Sequence, residues 1–203
     1  IFDAAGNATS SEPIFFRLDQ PTYTLSGQLA INGGASYTNN QRVTLGLTLV
    51  GETPGDAVRI ANEDGQFSGW LPMVPVLSWE LSPGDGAKTV SVQFKRGYAF
   101  SPVYTANITL DTKPPVIYGL LIPSAGENEA YLTWKTDEPA EARVDLLQGQ
   151  SWATVFLGTG YLSDHSATLS GLLPGTRYAL RALATDRARS EEHTSELQSR
   201  HNL

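Results

Sequence analysis

Two histidines beside serine or acidic residues are the groups of this sequence most suited to catalysis. His165 directly precedes Ser166, and His193 lies close to Glu192 and Ser195. A serine nucleophile needs a base within hydrogen-bond reach, but neighbouring residues of a β-strand point to opposite faces of the sheet. Alternation of apolar and polar residues through 166–170 predicts such a strand. We therefore expect no catalytic site at the first pair.

Carboxylates are more numerous and could move protons or hold a cation. Asp137 and Glu138 adjoin Pro139, which indicates a solvated turn rather than two acids facing each other across a glycosidase cleft. Calcium is the alternative, because it takes oxygen ligands from loops and could stiffen a domain junction. No segment has the spacing of a defined calcium loop, so no metal or cofactor is predicted and this alternative stays open. The loop residues concerned are Asp3, Asn7, Asp56, Asp64, Asp85, Asp111 and Glu138.

Four tryptophans raise the question of sugar binding, since exposed aromatic rings can stack on sugars. Trp79 and Trp134 occupy strand positions that alternate with polar residues, and we expect both in a hydrophobic core. Trp70 and Trp152 lie beside turn residues and are the two candidates for a ligand-binding surface. Packing is the favoured role even for these two.

Composition and charge exclude several classes of partner. The 203 residues carry a net charge of −7 and contain no cysteine. A nucleic-acid surface needs clustered lysine and arginine, which this sequence lacks. Without cysteine there is no disulfide and no thiolate zinc site. No apolar run approaches the roughly 20 residues that a membrane-spanning helix needs. We therefore predict no nucleic-acid partner and no membrane insertion within this stretch.

Short alternating segments bounded by turn residues predict an all-β chain. The 19 glycines, 12 prolines and only 17% charged residues favour many short strands over long amphipathic helices. Period-two alternation identifies the following strands: 43–50, 57–61, 77–81, 88–94, 104–110, 131–134, 142–146, 154–157, 166–170 and 176–183.

Internal similarity and a proline pair divide the chain. Residues 2–19 align without a gap with residues 94–111, so that 1–20 is predicted to be the end of a preceding repeat. The complete repeat then covers 21–113. Pro114 and Pro115 form a short, stiff joint, and a second domain follows over 114–188, its final strand expected to be truncated. The boundaries predict two sandwich-sized units in tandem.

Residues 189–203 break the pattern of the rest of the chain. They show no strand or helix period, and Arg189 to Ser199 resembles a translated sequencing adapter rather than a protein motif. We interpret this range as a non-native or disordered tail. His193 then belongs to no site, and the chain is predicted not to be an enzyme.

Several motifs follow one another in order within residues 22–112. They are Ile31 to Asn39, Leu77-Ser-Trp79, Gly84 to Val90 and Leu110-Asp-Thr112. In this order they resemble the immunoglobulin-like repeat of large bacterial surface proteins. The resemblance implies a β-sandwich strung in tandem with others.

The second domain carries Leu132-Thr-Trp134, Thr136 to Pro139 and the run Leu169-Ser-Gly-Leu-Leu-Pro-Gly-Thr-Arg-Tyr178. These motifs are similar to those of a fibronectin type III domain, in which the tyrosine hydroxyl reaches back to the backbone at a strand corner. The resemblance also implies that His165 opens a strand at the surface. The fold class expected is therefore all-β, with two tandem immunoglobulin-like and fibronectin type III-like sandwiches and a disordered tail.

The two resemblances together imply a function. We predict a non-catalytic structural or adhesive spacer segment of a large bacterial protein that is exported to the cell surface or secreted. Its partners would be neighbouring domains of the same chain and a surface glycan or protein ligand. The alternative is a pair of accessory, non-catalytic modules of a secreted hydrolase, either polysaccharide-degrading or metallophosphatase-like, with weak glycan binding.

Overall fold

The computed structural model describes residues 10, 12–15, 24–189, 191–193 and 197–198, the last two ranges as backbone only. The loop residues Asp3 and Asn7, and most of the predicted end of a preceding repeat, lie outside these ranges. The described chain is all-β, as predicted, with a single three-residue 3-10 turn at Asn32–Gly34. None of its helical segments is long or apolar enough to cross a membrane.

The first sandwich consists of eight strands in two sheets. The strands are β1 (Gly27–Ile31), β2 (Tyr37–Thr38), β3 (Arg42–Leu49), β4 (Ala57–Ala61), β5 (Leu71–Pro72), β6 (Val76–Glu80), β7 (Gly86–Arg96) and β8 (Ala99–Leu110). One sheet has the order β1-β3-β6, and the other has the order β2-β8-β7-β4-β5. In the second sheet β2 runs parallel to β8, whereas the other pairings are antiparallel.

The core of the first sandwich follows from strict alternation. In β3 every second residue from Val43 to Leu49 is buried, while Arg42 and Thr44 face solvent. The opposite sheet supplies Val92 and Phe94, which belong to the same core cluster. Each such side chain contributes about 1.5–3 kcal/mol on burial, so that the facing apolar rows hold the two sheets together.

Gly27 shows how closely β1 approaches this core. A Cβ atom at this position would lie 2.5 Å from the Phe94 ring and 2.7 Å from the Thr48 carbonyl oxygen. The Gly27 N–H donates to the Tyr104 hydroxyl over 3.1 Å, and that hydroxyl donates to the Leu25 carbonyl over 3.1 Å. Only glycine fits here, because backbone and ring occupy the space of a side chain.

The second sandwich is organised around one long strand. Its strands are β9 (Ile117–Ala125), β10 (Glu129–Gln148), β11 (Ser151–Leu157), β12 (Leu162–Ser170) and β13 (Ala179–Thr185). The first half of β10 pairs with β9 and β12, and the second half pairs with β11 and β13. The long strand β10 changes sheets where its register shifts, between Lys135 and Ala140.

Two further short strands lie within the range interpreted as a non-native or disordered tail. The strands β14 (Glu191–His193) and β15 (Leu197–Gln198) both pair with β13. Alternation in a sequence reports side-chain burial, whereas pairing needs only backbone donors and acceptors, which the edge of a sheet supplies. The rest of the range from residue 190 lies outside the described residues.

Trp134 is the centre of the second core. It is 2% exposed, its ring meets Phe156 edge-on at 6.3 Å, and it stacks on His165 at 5.4 Å. The Leu173 N–H donates to the Tyr178 hydroxyl over 2.7 Å, which is the strand-corner bond that the resemblance implies. The core and the corner therefore have the arrangement expected of this kind of sandwich.

Candidate functional site

His165 lies in the core rather than at the surface. It is 8% exposed, stacks on Trp134, and has its Nε2 atom 3.1 Å from the Thr136 hydroxyl. The expectation that it opens a strand at the surface was therefore wrong, because the inward row of β12 already begins at this residue. Burial lowers the pKa of His165, with the charge of Asp164 opposing the shift. Ser166 is exposed on the opposite face, so the two do not form a catalytic pair.

Three carboxylates meet where the two sandwiches join. Asp111 follows β8, Glu138 lies where β10 changes sheets, and Asp186 follows β13; one oxygen of each lies within 4.8 Å of the others. Burial raises the pKa of Glu138, and the charges of Asp111, Asp186 and Asp137 raise it further. The donors are of the type that calcium takes, but three carboxylates are fewer than its usual six to eight oxygens.

This cluster contains two of the loop residues that the sequence singled out, Asp111 and Glu138. Sequence reasoning missed Asp186, which directly follows β13, as a partner. It is 2% exposed, in contrast to the other two, which are half-buried. The three residues come together only because β8 and β13 end at the junction and β10 changes sheets there.

The remaining candidate carboxylates are separated and hold turns or ion pairs. Arg96 contacts Asp56 at 2.7 Å, and this bond with those from Thr53 brings the pKa of Asp56 to about 2. Asp85 accepts hydrogen bonds from the backbone and hydroxyl of Thr112, at 3.1 and 2.8 Å. Asp64 accepts one from the backbone of its own turn. These groups stabilise local structure and do not converge on a common point.

Trp79 and Trp134 have the core positions predicted for them. Trp79 packs against the first core from a half-buried position and donates its indole N–H to the Asn62 side chain over 2.8 Å. Trp134 is fully enclosed.

Trp70 belongs to a cluster of rings and cations on the outer face of the five-stranded sheet of the first sandwich. Arg59 and Lys95 lie 5.0 and 5.5 Å from the Trp70 ring, and the Phe100 ring lies 5.7 Å from it. Arg59 also lies 4.5 Å from the Phe67 ring. We call these five residues the aromatic–cationic cluster. Trp70 is half-buried within it, so its ring is not a bare platform.

Trp152 has a similar environment in the second sandwich. Arg181 lies 4.7 Å from its ring and donates to Asp145 over 3.1 and 2.9 Å. Burial alone would raise the pKa of Asp145, but hydrogen bonds from Arg181 and Thr154 and the charges of Arg143 and Arg181 outweigh it, so the pKa is lowered. Trp70 and Trp152 therefore lie on different domains and do not form one site.

A basic side chain links the two sandwiches. The guanidinium of Arg187 lies 5.1 Å from the Tyr161 ring and 6.0 Å from the ring of Tyr37, which belongs to the first sandwich. It also donates to the Tyr37 hydroxyl over 3.5 Å. The Val116 N–H donates to the Asp137 carboxylate over 2.6 Å at the same end of the second sandwich. The contacts of Arg187 with Tyr161 and Tyr37 therefore join the two sandwiches.

No model of a protein family matches the sequence, and no curated protein matches it. Solved structures do match. Domains A168–A170 of titin align with a TM-score of 0.57 and 12% identity, covering 87% of this chain and 66% of that one. Chicken CNTN1 FN1–FN3 domains align with a TM-score of 0.49 and 14% identity, covering 98% and 75%. A two-domain fibronectin type III segment of chicken tenascin gives 0.34 and 15%, covering 85% and 95%. The fold is that of tandem immunoglobulin-like and fibronectin type III-like sandwiches.

Proposed function

We propose that these tandem sandwiches form a non-catalytic, load-bearing spacer of a large bacterial surface or secreted protein. The observation that carries the proposal is the parallel pairing of β2, near the start of the first sandwich, with its last strand, β8. When tension pulls the two ends of the domain apart, β2 and β8 slide along each other, because the two strands run in the same direction. Their hydrogen bonds, which lie across the strands, are then loaded together instead of one at a time.

The bonds that would carry this load are short. The Thr109 N–H donates to the Ser36 carbonyl over 2.9 Å, and the Asp111 N–H donates to the Thr38 carbonyl over 2.9 Å. Both donors lie at the end of β8, next to the joint with the second sandwich. Force that enters through the joint therefore acts on these bonds before it reaches the core.

Single-molecule force spectroscopy on the full chain tests the proposal. We expect two unfolding events, with contour gains of roughly 30 nm for the first sandwich and roughly 25 nm for the second, at about 3.6 Å per residue. Thr109→Pro removes one of the two donors and should lower the rupture force of the first sandwich, leaving that of the second sandwich unchanged. Thr105→Pro is the matched control, because it lies on the same side of β8 but beyond the end of β2.

Equal rupture forces for both proline variants would contradict the load-bearing proposal. A second candidate function is that of accessory modules in a secreted polysaccharide-degrading or metallophosphatase-like hydrolase. The aromatic–cationic cluster favours a binding role of this kind, because a pure spacer has no need for rings and cations on one exposed face.

A further inference from the structure

Charge is segregated within the first sandwich. The strands β2, β4, β5, β7 and β8 contain no aspartate or glutamate, although the chain has 21 acidic residues. Of the cations on these strands, Lys88 points inward and is 7% exposed, and Arg96 pairs with Asp56. Arg59 and Lys95 alternate with buried residues and face outward. The outward side chains of these strands are therefore neutral or positive in a molecule that is negative overall; the nearby carboxylate of Glu63 comes from the loop after β4 and accepts from the Thr89 N–H over 2.8 Å.

The side chain of Arg59 is held in place by its neighbours. Its Nε and Nη2 atoms donate to the Gln93 side-chain oxygen over 3.0 and 2.6 Å, and its guanidinium lies between the rings of Phe67 and Trp70. The partner is a neutral amide, so the positive charge of Arg59 is not compensated by it. A cation that is already ordered loses little side-chain entropy when an anion binds.

Apolar and polar groups surround the two cations. Phe100 is 53% exposed, and Val103 beside it on β8 is 48% exposed. Further along the same face the outward positions carry hydroxyl and amide groups, of which the Thr89 hydroxyl donates to Asn107 over 2.8 Å. The face thus combines exposed aromatic surface, fixed positive charge and a row of neutral hydrogen-bonding groups.

We infer that this face binds an acidic polysaccharide, a chain of sugars that carry carboxylate or sulfate groups. The inference goes beyond the proposed load-bearing function, and it names a ligand class for the binding role that the aromatic–cationic cluster favours. Sugar rings present C–H groups to aromatic rings and hydroxyls to the polar row, while their anionic groups match Arg59 and Lys95. An extended peptide is a poorer fit, because peptides bind sheets by adding to an open edge, and β7 lies in the middle of this sheet.

Affinity electrophoresis of the full chain in gels containing polygalacturonate tests the inference. The fully methyl-esterified polymer is the neutral control, and dextran sulfate against dextran shows whether sulfate serves as well as carboxylate. We expect retardation by the acidic polymers only, and weaker retardation at high salt because salt screens exposed charges.

Variants locate the site. Arg59→Gln and Lys95→Gln should each weaken binding about threefold, and the double variant about tenfold. Phe100→Ala removes an exposed ring without opening the core and should also weaken binding. The matched control is Arg42→Gln, since that arginine is 74% exposed on the opposite sheet of the same domain. It should bind like the parent chain.

Three results would overturn the inference: no retardation by any acidic polymer, equal retardation by the methyl ester, or unchanged binding of the double variant. Poly-glutamate that binds in place of polygalacturonate would likewise reject it in favour of an acidic peptide. The force experiment is independent of any ligand. If the chain binds no acidic polysaccharide but Thr109→Pro lowers the rupture force, only this inference is rejected. If the chain binds the polysaccharide but Thr109→Pro leaves the rupture force unchanged, only the load-bearing function is rejected.

Discussion

Each sandwich places a tryptophan ring beside an arginine on its outer surface, but the two arginines are anchored differently. Arg59, beside Trp70, is held by the neutral amide of Gln93. Arg181, beside Trp152, is held by the carboxylate of Asp145.

The anchor decides what such a cluster can do. The Asp145 carboxylate pairs with both Arg181 and Arg143 and occupies one hydrogen-bonding edge of Arg181, so the second cluster contributes chiefly to stability. An amide orders the guanidinium and leaves its charge available, so the first cluster can attract an anion. The same pairing of a tryptophan ring with an arginine therefore has a different role in each sandwich, depending on whether the anchor is Gln93 or Asp145.

The largest expected effect comes from removing the charged anchor. Asp145→Asn should lower the free energy of unfolding of the second sandwich by roughly 2–3 kcal/mol, because Arg181 and the nearby Arg143 would lose a buried counter-charge. Gln93→Ala should cost the first sandwich about 1 kcal/mol. Urea unfolding that resolves the two domains measures both, and equal losses would remove the contrast between the anchors.

The next largest effect should be the loss of stability in acid of the first sandwich, where Asp56 pairs with Arg96. The pKa of Asp56 is about 2 in the folded state, below the ordinary value of 3.8, so its pairing with Arg96 favours folding at neutral pH. This contributes about 2 kcal/mol to the first sandwich above pH 4, and the contribution is lost as the pH falls toward 2. Asp56→Asn should abolish this part of the pH dependence. Urea unfolding at several pH values measures this. If acid lowers the stability of the first sandwich equally in the parent and in Asp56→Asn, then Asp56 is not the source of the pH dependence.

The smallest effect on stability should come from a substitution that nevertheless weakens binding. Gln93→Glu gives Arg59 a charged anchor like that of Arg181. A new, partly exposed ion pair is worth less than about 1 kcal/mol, and the substitution also removes the amide bond to the Ser101 carbonyl, so stability should change little. Retardation by polygalacturonate should weaken about threefold, as expected for Arg59→Gln, because the charge of Arg59 is now compensated while Lys95 is unchanged. Unchanged retardation would show that the anchor does not control the cluster.

Much of the fold could be predicted from alternation. The predicted strand 57–61 coincides with β4, and 43–50 differs from β3 by one residue at each end. The two predicted segments 131–134 and 142–146 are parts of the single strand β10. They were separated because Asp137 to Pro139 has turn composition, yet the backbone stays extended there as the strand changes sheets. The turn was predicted from the local residue types alone. The strand is continuous because its two halves pair with strands of the two different sheets.

The short edge strands could not be predicted. The two residues of β2 pair with β8, about 70 positions later in the chain, and no local period marks so short a segment. The same reason explains why Trp70 and Trp152 were identified as candidates while the residues around them were not. Arg59 and Lys95 come from strands that are adjacent only in the folded sheet.

The sequence by itself determined which side chains face inward, because a strand has a period of two and burial of its apolar row stabilises only one orientation. The motif that ends in Tyr178 also indicated, through its resemblance, the strand-corner hydrogen bond that the structure contains. The tertiary structure alone decided the partners of the outward charges. Arg181 meets Asp145 across 36 residues and Arg59 meets Gln93 across 34, and such distant pairings depend on strand order, which a one-dimensional pattern does not contain. The difference between a compensated and an available cation is therefore a property of the fold.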